Sequence, residues 1–330
     1  MKKSYKILLS LVVWGFLAIS CTSSESGNAD YEPLNVTRLD KAVYNYSNLN
    51  DNERRDIDND MAQGISTLTI MLNLGHPIDS AFSKYVTSEA VKVFSPEVFN
   101  KFADLKDIES SLGGVKVNLE KELPSIKMCN IYSIVSPYRQ SIFIADSTLL
   151  LALNHYLGAN HKVYEGFETY VKKTKEPKFI PYDVVEAIIS TEMPYQSDGD
   201  NELLSRMLYA GVVTEAKMRI VPNASVSLSL GYEDEELNWL EENQKEAWNS
   251  IVSKELLYST SYMEIEQLLS LSPKSSIIHP QAPGRAGRYF GYKIIRAYLE
   301  KNPSTTLSQL LSPQFYKSQQ TLIESGYQGK

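Results

Sequence analysis

Hydrophobic residues in the N-terminal third recur at spacings of three and four positions, which is the period of an amphipathic helix. The pattern is clearest from 52 to 74, where the large apolar side chains share one face and Gly75 ends the run. A second helical pattern covers 79 to 105, and Pro96 restarts the helix within it. The sequence therefore predicts that the N-terminal third is helical.

The pattern then changes to one that is typical of strands. Two runs rich in β-branched and aromatic residues, 131–135 and 141–145, flank a turn that begins at Pro137. This arrangement predicts a β-hairpin. The stretch 115–117 is a weaker candidate for a third strand, so the predicted sheet is small.

The rest of the chain has helical patterns. The apolar run 149–153 closes before Gly158 and predicts a short buried helix. Hydrophobic periodicity predicts six more helices, at about 182–192, 200–219, 233–256, 261–270, 287–301 and 313–325. In the second of these, Gly211 predicts the close approach of a neighbouring element. The expected fold class is therefore α+β, predominantly helical, with a small β-sheet in the N-terminal half.

The first twenty residues have the pattern of a bacterial signal peptide. Three lysines precede an apolar run from Ile7 to Ile19, which at roughly thirteen residues is too short to span a bilayer. The segment Leu17–Cys21 resembles a lipobox, so Cys21 is expected to become the lipidated N-terminus of the mature protein. The alternative is an ordinary secretory signal that happens to contain a cysteine.

Beyond the signal, the composition is that of a tethered globular protein. Residues 21–34 are polar and rich in serine, which predicts a flexible tether, and residues 35–330 are expected to form a single domain. A chain with 43% hydrophobic and 22% charged residues is typical of globular proteins. The net charge of −7 argues against nucleic acid as a partner, because non-specific binding needs a basic face. The expected partners are the membrane, through the N-terminal lipid, and envelope proteins near it.

Motifs that carry catalysis or hold cofactors are missing from the sequence. The four histidines do not form the H-E-x-x-H pattern of zinc peptidases, and no G-x-S-x-G elbow, P-loop or dinucleotide fingerprint is present. His155 and His161 flank Gly158 at a spacing that does not place both on one helix face. Cys129 lies among apolar residues and is expected to be buried and inert. We therefore expect no catalytic residue, no metal and no cofactor.

The most distinctive stretch is 279–299, where a loop rich in proline and glycine leads into a helix with two glycines four positions apart. Two interpretations stay open. In one, the glycines let another backbone approach and the polar side chains satisfy buried carbonyls. In the other, loop and helix form a cleft for an anion or a peptide. The candidate cleft residues are His279, Arg285, Arg288, Tyr289 and Tyr292.

Several separated segments resemble the GldB-type gliding-motility lipoproteins of Bacteroidetes. The matching segments are Leu153–Gly158 with Tyr164, Phe179–Pro181, Leu208–Gly211, and Pro283–Tyr292 with its continuation to Leu299. Their order and the lipobox support one another. The resemblance implies a membrane-anchored envelope lipoprotein associated with gliding motility or secretion.

That family is similar in turn to predicted zinc peptidases of the zincin kind, which implies a zincin-like domain. In those proteins one helix carries H-E-x-x-H and a later helix supplies a third ligand. Here the first position falls in Asp183–Thr191, which has no histidine, and the later one falls at Ala210. The resemblance thus implies a fold that has lost its metal, so Glu186 and Glu215 are not expected to be catalytic.

These observations lead to three functional hypotheses. The first is a non-catalytic component of the motility or secretion machinery that acts through protein contacts, and the missing motifs favour it. The second is a hydrolase, similar to peptidases, with an unconventional site near His279, Arg285 and Arg288. The third is a glycan- or solute-binding lipoprotein, which only the 21 tyrosines support.

Overall fold

The computed structural model of the protein describes residues 31–73, 82, 84–197 and 202–330. Its strands are β1 (Val36–Thr37), β2 (Asn130–Ile134), β3 (Ile142–Ala145) and β4 (Thr148–Ala152). Its helices are α1 (Leu39–Asn45), α2 (Asp51–Asp60), α3 (Ala62–Met71), α4 (Glu89–Lys101), α5 (Lys106–Glu122), α6 (Thr169–Lys172), α7 (Ile180–Glu192), α8 (Leu203–Ile220), α9 (Val226–Leu230), α10 (Asp234–Glu242), α11 (Gln244–Ser253), α12 (Tyr262–Leu269), α13 (Ala286–Lys301), α14 (Leu307–Leu310), α15 (Pro313–Tyr316) and α16 (Gln319–Ser325). Short 3₁₀ helices cover Tyr46–Asn48, Leu153–His155, Lys162–Tyr164, Pro177–Phe179 and Leu256–Tyr258.

The four strands form one sheet in the order β1-β2-β4-β3. β1, β2 and β4 run parallel, and β3 pairs antiparallel with β4 at the edge. In this register Leu149 lies between Ile131 of β2 and Ile144 of β3. All five residues of β4 are buried, so both faces of the sheet are covered at this strand. The α+β class, mostly helical with a small sheet in the N-terminal half, is confirmed.

The pairing of the predicted hairpin is wrong. The runs 131–135 and 141–145 correspond to β2 and β3, but β4 lies between them in the sheet. The helix predicted over 149–153 is also wrong, because most of this run belongs to β4. A short continuous apolar run is compatible with a buried strand or a buried helix, so its pattern does not distinguish them. The hairpin is formed instead by β3 and β4, and Asp146, with a φ of 50°, lies in its turn.

Two further predictions differ from the structure. The stretch 115–117 lies inside α5, where Val115 is buried on the same face as Leu112 and Leu119. Pro96 does not restart a helix, since α4 runs through it without a break. Proline removes one hydrogen bond from a helix interior and its ring crowds the preceding turn. Here α4 continues through Pro96 and buries Val91, Ser95 and Val98 on its inner face.

Some of the predicted helices are divided in the structure. The pattern over 52–74 becomes α2 and α3, which meet at Met61. α2 begins with a capping box in which Asn50 and Glu53 satisfy each other's backbone amides. The pattern over 233–256 is divided at Asn243, and the one over 313–325 becomes α15 and α16. The hydrophobic period continues across such breaks, so it does not mark them.

The helices α8 and α13 cross in backbone contact at the centre of the fold. A Cβ atom added to Gly291 would lie 1.8 Å from the carbonyl oxygen of Met207, and one added to Gly211 would lie 2.3 Å from the carbonyl carbon of Gly291. The close approach predicted at Gly211 is therefore confirmed. Gly291 has the packing role that the first interpretation of 279–299 gave to it.

Helix α7 packs between β3 and α8 and carries polar side chains beside its apolar face. It starts with Pro181 in its first turn, where a missing amide hydrogen costs nothing. Val184, Val185 and Ile188 are buried in the core. The residues 31–330 form one compact unit with its own core, and no helix in the described part of this unit is long and apolar enough to cross a membrane.

Candidate functional site

A polar cavity of about 360 Å³ opens beside α7. Helix α7 contributes Asp183 and Glu186, and α8 contributes Lys217. Arg285, which precedes α13, and Arg288 in its first turn also line the cavity. Arg139, in the segment before β3, and Lys175, in the segment after α6, complete the charged lining. Five cationic side chains thus face two carboxylates, so the cavity has an excess of positive charge.

Glu186 is paired inside this cavity with two cations. Its Oε2 atom accepts a hydrogen bond from Lys217 Nζ at 2.7 Å, and its Oε1 atom accepts one from Arg288 Nη1 at 2.9 Å. Burial alone would raise the pKa of Glu186, but the charges of Lys217 and Arg288 outweigh it and hold this pKa well below its usual range. Arg288 also donates from Nε to the carbonyl oxygen of Leu269 at 3.0 Å. Glu186 is therefore a weak base at neutral pH.

Asp183, one turn earlier on α7, has a different environment. The hydroxyl of Tyr156 donates a hydrogen bond to its Oδ2 atom at 2.8 Å. Burial raises the pKa of Asp183 to about 6, although the hydrogen bond from Tyr156 opposes this shift. The two carboxylates of one helix face thus have pKa values displaced in opposite directions.

Arg285 is the least satisfied cation of the cavity. It precedes α13 in a left-handed backbone conformation with a φ of 65°, and its guanidinium packs over Gly231. Its buried Nε atom has no hydrogen-bond partner among the residues that the structure describes. Burial, followed by repulsion from Arg288, lowers the pKa of Arg285 to about 10, so the side chain stays charged at neutral pH.

Lys175 connects this cavity with a second one of about 580 Å³, which Arg139, Thr174 and Leu271 also line. Lys175 Nζ lies 2.8 Å from Nδ1 of His155, and the Nε2 atom of His155 lies 3.0 Å from the carbonyl oxygen of Tyr138. Burial and the charge of Lys175 lower the pKa of His155 to about 4, so this histidine is neutral. Its Nδ1 atom therefore accepts from Lys175 and its Nε2–H group donates to Tyr138.

The second cavity is lined by five aromatic residues beside polar and charged ones, and most of its lining surface is apolar. The aromatic residues are Phe94, Tyr138, Tyr164, Phe167 and Tyr170. Tyr164 is held in place by the hydrogen bond from its hydroxyl to the carbonyl oxygen of Asn154 and by its ring contacts with Phe94 and Phe167. We call this the aromatic cavity and the one beside α7 the cationic cavity.

The candidate cleft residues lie in more than one place. Arg285 and Arg288 both line the cationic cavity. His279 lies elsewhere and stacks on Trp239 with ring centroids 5.1 Å apart. Tyr289 is buried and donates a hydrogen bond to Gln244, and Tyr292 is buried as well. Cys21 lies outside the described residues.

Sequence reasoning did not find Lys217, Lys175 or Arg139. A signal existed only for Lys217, which is charged although it lies in a helix whose other residues are mostly apolar and buried. Lys175 and Arg139 lie in loops among other polar residues, and nothing local distinguishes them. Over the part of the chain that the structure describes, no group of three or more histidine, cysteine or acidic side chains is arranged to hold a metal ion.

Comparison with known proteins identifies one family. A family model described as "Gliding motility protein GldB" matches residues 22–329, almost the entire chain. No curated protein and no solved structure matches. The likeness to zincin peptidases stays a prediction. The match implies a lipoprotein associated with the cell envelope and with gliding motility, and the chain therefore belongs to the GldB family of gliding motility proteins.

Proposed function

We propose that this protein is a non-catalytic component of the gliding-motility or secretion machinery and acts through contacts with other envelope proteins. In this proposal acyl chains on Cys21 hold it at a membrane, and residues 21–34 allow the domain to reach its partners. A short flexible tether raises the effective concentration of a domain near other proteins of the same membrane.

The pairing of Glu186 is the observation that carries the non-catalytic part. The resemblance to zinc peptidases puts this residue on the helix that would carry their metal motif. Both of its carboxylate oxygens accept hydrogen bonds from cations, Lys217 and Arg288. The lowered pKa makes the group a poor general base, because proton abstraction needs a pKa near the working pH.

Exposed apolar side chains support the part that concerns protein contacts. Tyr258, Tyr262 and Met263, which we call the tyrosine–methionine patch, are 55%, 78% and 69% exposed. Aromatic residues and methionine are enriched at protein interfaces. The patch surrounds the start of α12, where a partner would meet three large side chains within six positions.

Photo-crosslinking in intact gliding cells tests the contact proposal. A photoreactive residue at position 262 should capture an envelope protein, and one at position 323 should not. Ile323 is a matched control, since it is a hydrophobic residue with 69% exposure on α16. Capture of the same proteins from both positions, or from neither, would contradict the proposal.

A hydrolase is the second candidate, and Asp183 is the observation that favours it. A buried carboxyl with a pKa of about 6 has the proton affinity of a general acid or base. Metal analysis and peptidase assays on the purified domain distinguish the two candidates. Turnover that is lost in Asp183→Asn, while the fold is retained, would replace our proposal with this one.

A further inference from the structure

We propose that the cationic cavity binds the head group of a small anionic amphiphile, a carboxylate or a phosphate, through Arg285, while the aromatic cavity receives its apolar part. This binding goes beyond the contacts with envelope proteins proposed above and does not depend on them. It rests on three features of the described residues: an uncompensated charge, an unused donor and an adjoining apolar space.

The uncompensated charge is the first feature. Glu186 already accepts hydrogen bonds from Lys217 and Arg288, so it is not available to a third cation. Asp183 accepts from Tyr156 and makes no hydrogen bond to a cation among the described residues. Lys175 contacts a neutral imidazole, which does not offset its charge. An anion in the cavity would therefore meet positive charge that the protein itself leaves unneutralised.

The unused donor is the second feature. In the described part of the chain, the guanidinium of Arg285 makes no hydrogen bond or ion pair, and its Nε atom is buried. A buried donor without a partner destabilises the folded protein, and more strongly when the group is charged. A planar guanidinium is suited to bidentate contact with the two oxygens of a carboxylate or a phosphate. Such a contact would satisfy the atom that the protein leaves unpaired.

The backbone supports the same assignment. Arg285 is a non-glycine residue in the left-handed region, a strained conformation that tends to be retained at ligand-binding sites. The preceding Gly284 fits tightly, because a Cβ atom there would lie 1.9 Å from the carbonyl oxygen of Ser272. The turn is thereby fixed, and the side chain that it presents at the cavity is the unpaired Arg285.

The adjoining space is the third feature. The aromatic cavity shares Arg139, Thr174 and Lys175 with the cationic one, so a single molecule can occupy both. Its volume of about 580 Å³ lies in the range of sites for small molecules. Because five aromatic residues line it and most of its lining surface is apolar, it favours an apolar group next to the anionic head. A free inorganic anion would leave this space unused.

Calorimetric titration of the purified domain, residues 31–330, tests the proposal. The probes are octanoate and octyl phosphate below their micelle-forming concentrations, with octanol as the neutral analogue and inorganic phosphate as the head group alone. We expect one molecule of an anionic probe per chain, bound at least tenfold more tightly than octanol or inorganic phosphate. The two anionic arms also show whether a carboxylate or a phosphate is preferred.

Substitutions test whether the probe binds in the cationic cavity. Arg285→Gln should weaken binding of the preferred probe at least tenfold, and Arg285→Lys should weaken it less. Arg296→Gln removes the same charge from α13, outside both cavities, and should leave the affinity within twofold. Melting of each variant without a probe shows that it is folded.

A second pair of variants covers the case in which Arg285→Gln does not fold. Thr174→Glu adds a negative charge where the cavities meet, and Thr169→Glu adds the same charge on exposed α6 surface outside them. The first should weaken binding at least tenfold, whereas the second should not. Equal binding of octanol and the anionic probes, equal binding of octyl phosphate and inorganic phosphate, or no effect of Thr174→Glu would each overturn the proposal.

Discussion

The crossing of α8 and α13 and the cationic cavity use the same two helices in opposite ways. At the crossing, Gly211 and Gly291 remove side chains altogether, so that backbone lies against backbone. At the cavity, Lys217 of α8 and Arg288 of α13 extend long charged side chains to Glu186. Close packing of backbone against backbone stabilises the crossing. The ion pairs of Glu186 with Lys217 and Arg288 stabilise the cavity. A well-packed crossing lets the nearby cavity keep an unpaired cation without loss of the fold.

The largest effect is expected at the crossing. In Gly291→Ala, the new methyl group would overlap the carbonyl oxygen of Met207, so the two helices must separate. Over-packing of a tight core costs about 3 kcal/mol at its upper end, and we expect a loss of this size in the free energy of unfolding. Urea denaturation measures it. Gly166→Ala is the control, because a Cβ atom there meets nothing within 4 Å. Equal losses in both variants would contradict a crossing held by backbone contact.

The next effect is expected in the cavity, from removal of one cation. Lys217→Met leaves Glu186 with Arg288 as its remaining partner, and Lys217 itself is only 5% exposed. Breaking a buried ion pair costs about 3–5 kcal/mol, but Glu186 is 31% exposed, so a loss of about 2 kcal/mol is expected. Lys293→Met breaks the exposed pair with Glu241 and should cost less than about 0.5 kcal/mol. If denaturation gave the same loss for both lysines, charge compensation would not be what holds the cavity.

An effect of similar size depends on pH and concerns Asp183. Its pKa is about 6 in the folded protein, against about 3.9 in an unfolded chain, so the folded state binds more protons between these values. The stability that Asp183 contributes is therefore present below about pH 4 and is lost as the pH rises through 6. Asp183→Asn has no carboxyl at this position, so its stability does not fall in this way as the pH rises. Between pH 4 and 7, wild type should lose about 2 kcal/mol relative to the variant.

Denaturation series at several pH values test this, and Tyr156→Phe provides the control. That variant keeps the Asp183 carboxyl and removes only the hydrogen bond that opposes its raised pKa. The relative loss of stability between pH 4 and 7 should therefore persist in Tyr156→Phe. Parallel stability curves for wild type and Asp183→Asn would show that the carboxyl has no raised pKa.

The two regions also differ in how much of them the sequence could predict. The crossing could be predicted from the sequence, because Gly211 and Gly291 each interrupt a strong helical period. A glycine in such a position indicates the close approach of another element. Two of the seven charged residues of the cavity, Arg285 and Arg288, could be predicted, because they stand in one distinctive stretch. Lys175 and Arg139 come from loops far apart in the chain, and only the topology of the sheet and α7 brings them together.

The wrong predictions for the hairpin and for the segment 149–153 have a related cause. Leu149, Leu150 and Leu151 are all buried, so β4 lacks the alternation that identifies a half-exposed strand. Its position between β2 and β3 depends on pairing with strands from other parts of the chain, which a local sequence pattern does not indicate. Hydrophobic period thus predicted the helices on either side of the cavity but not the strand order that places α7 over β3.

The smallest effect is expected at an ion pair on the edge of the crossing. Glu215 of α8 is buried and accepts from Arg219 at 2.8 Å, while Arg296 of α13 lies 3.5 Å away and is 48% exposed. Arg296→Gln leaves Glu215 with its closer partner, so we expect a loss below about 0.5 kcal/mol that shrinks further in high salt. Arg219→Gln removes that closer partner and should cost more. If Arg296→Gln were instead the more destabilising of the two, the helices would be joined by charge as well as by packing, and the contrast between crossing and cavity would fail.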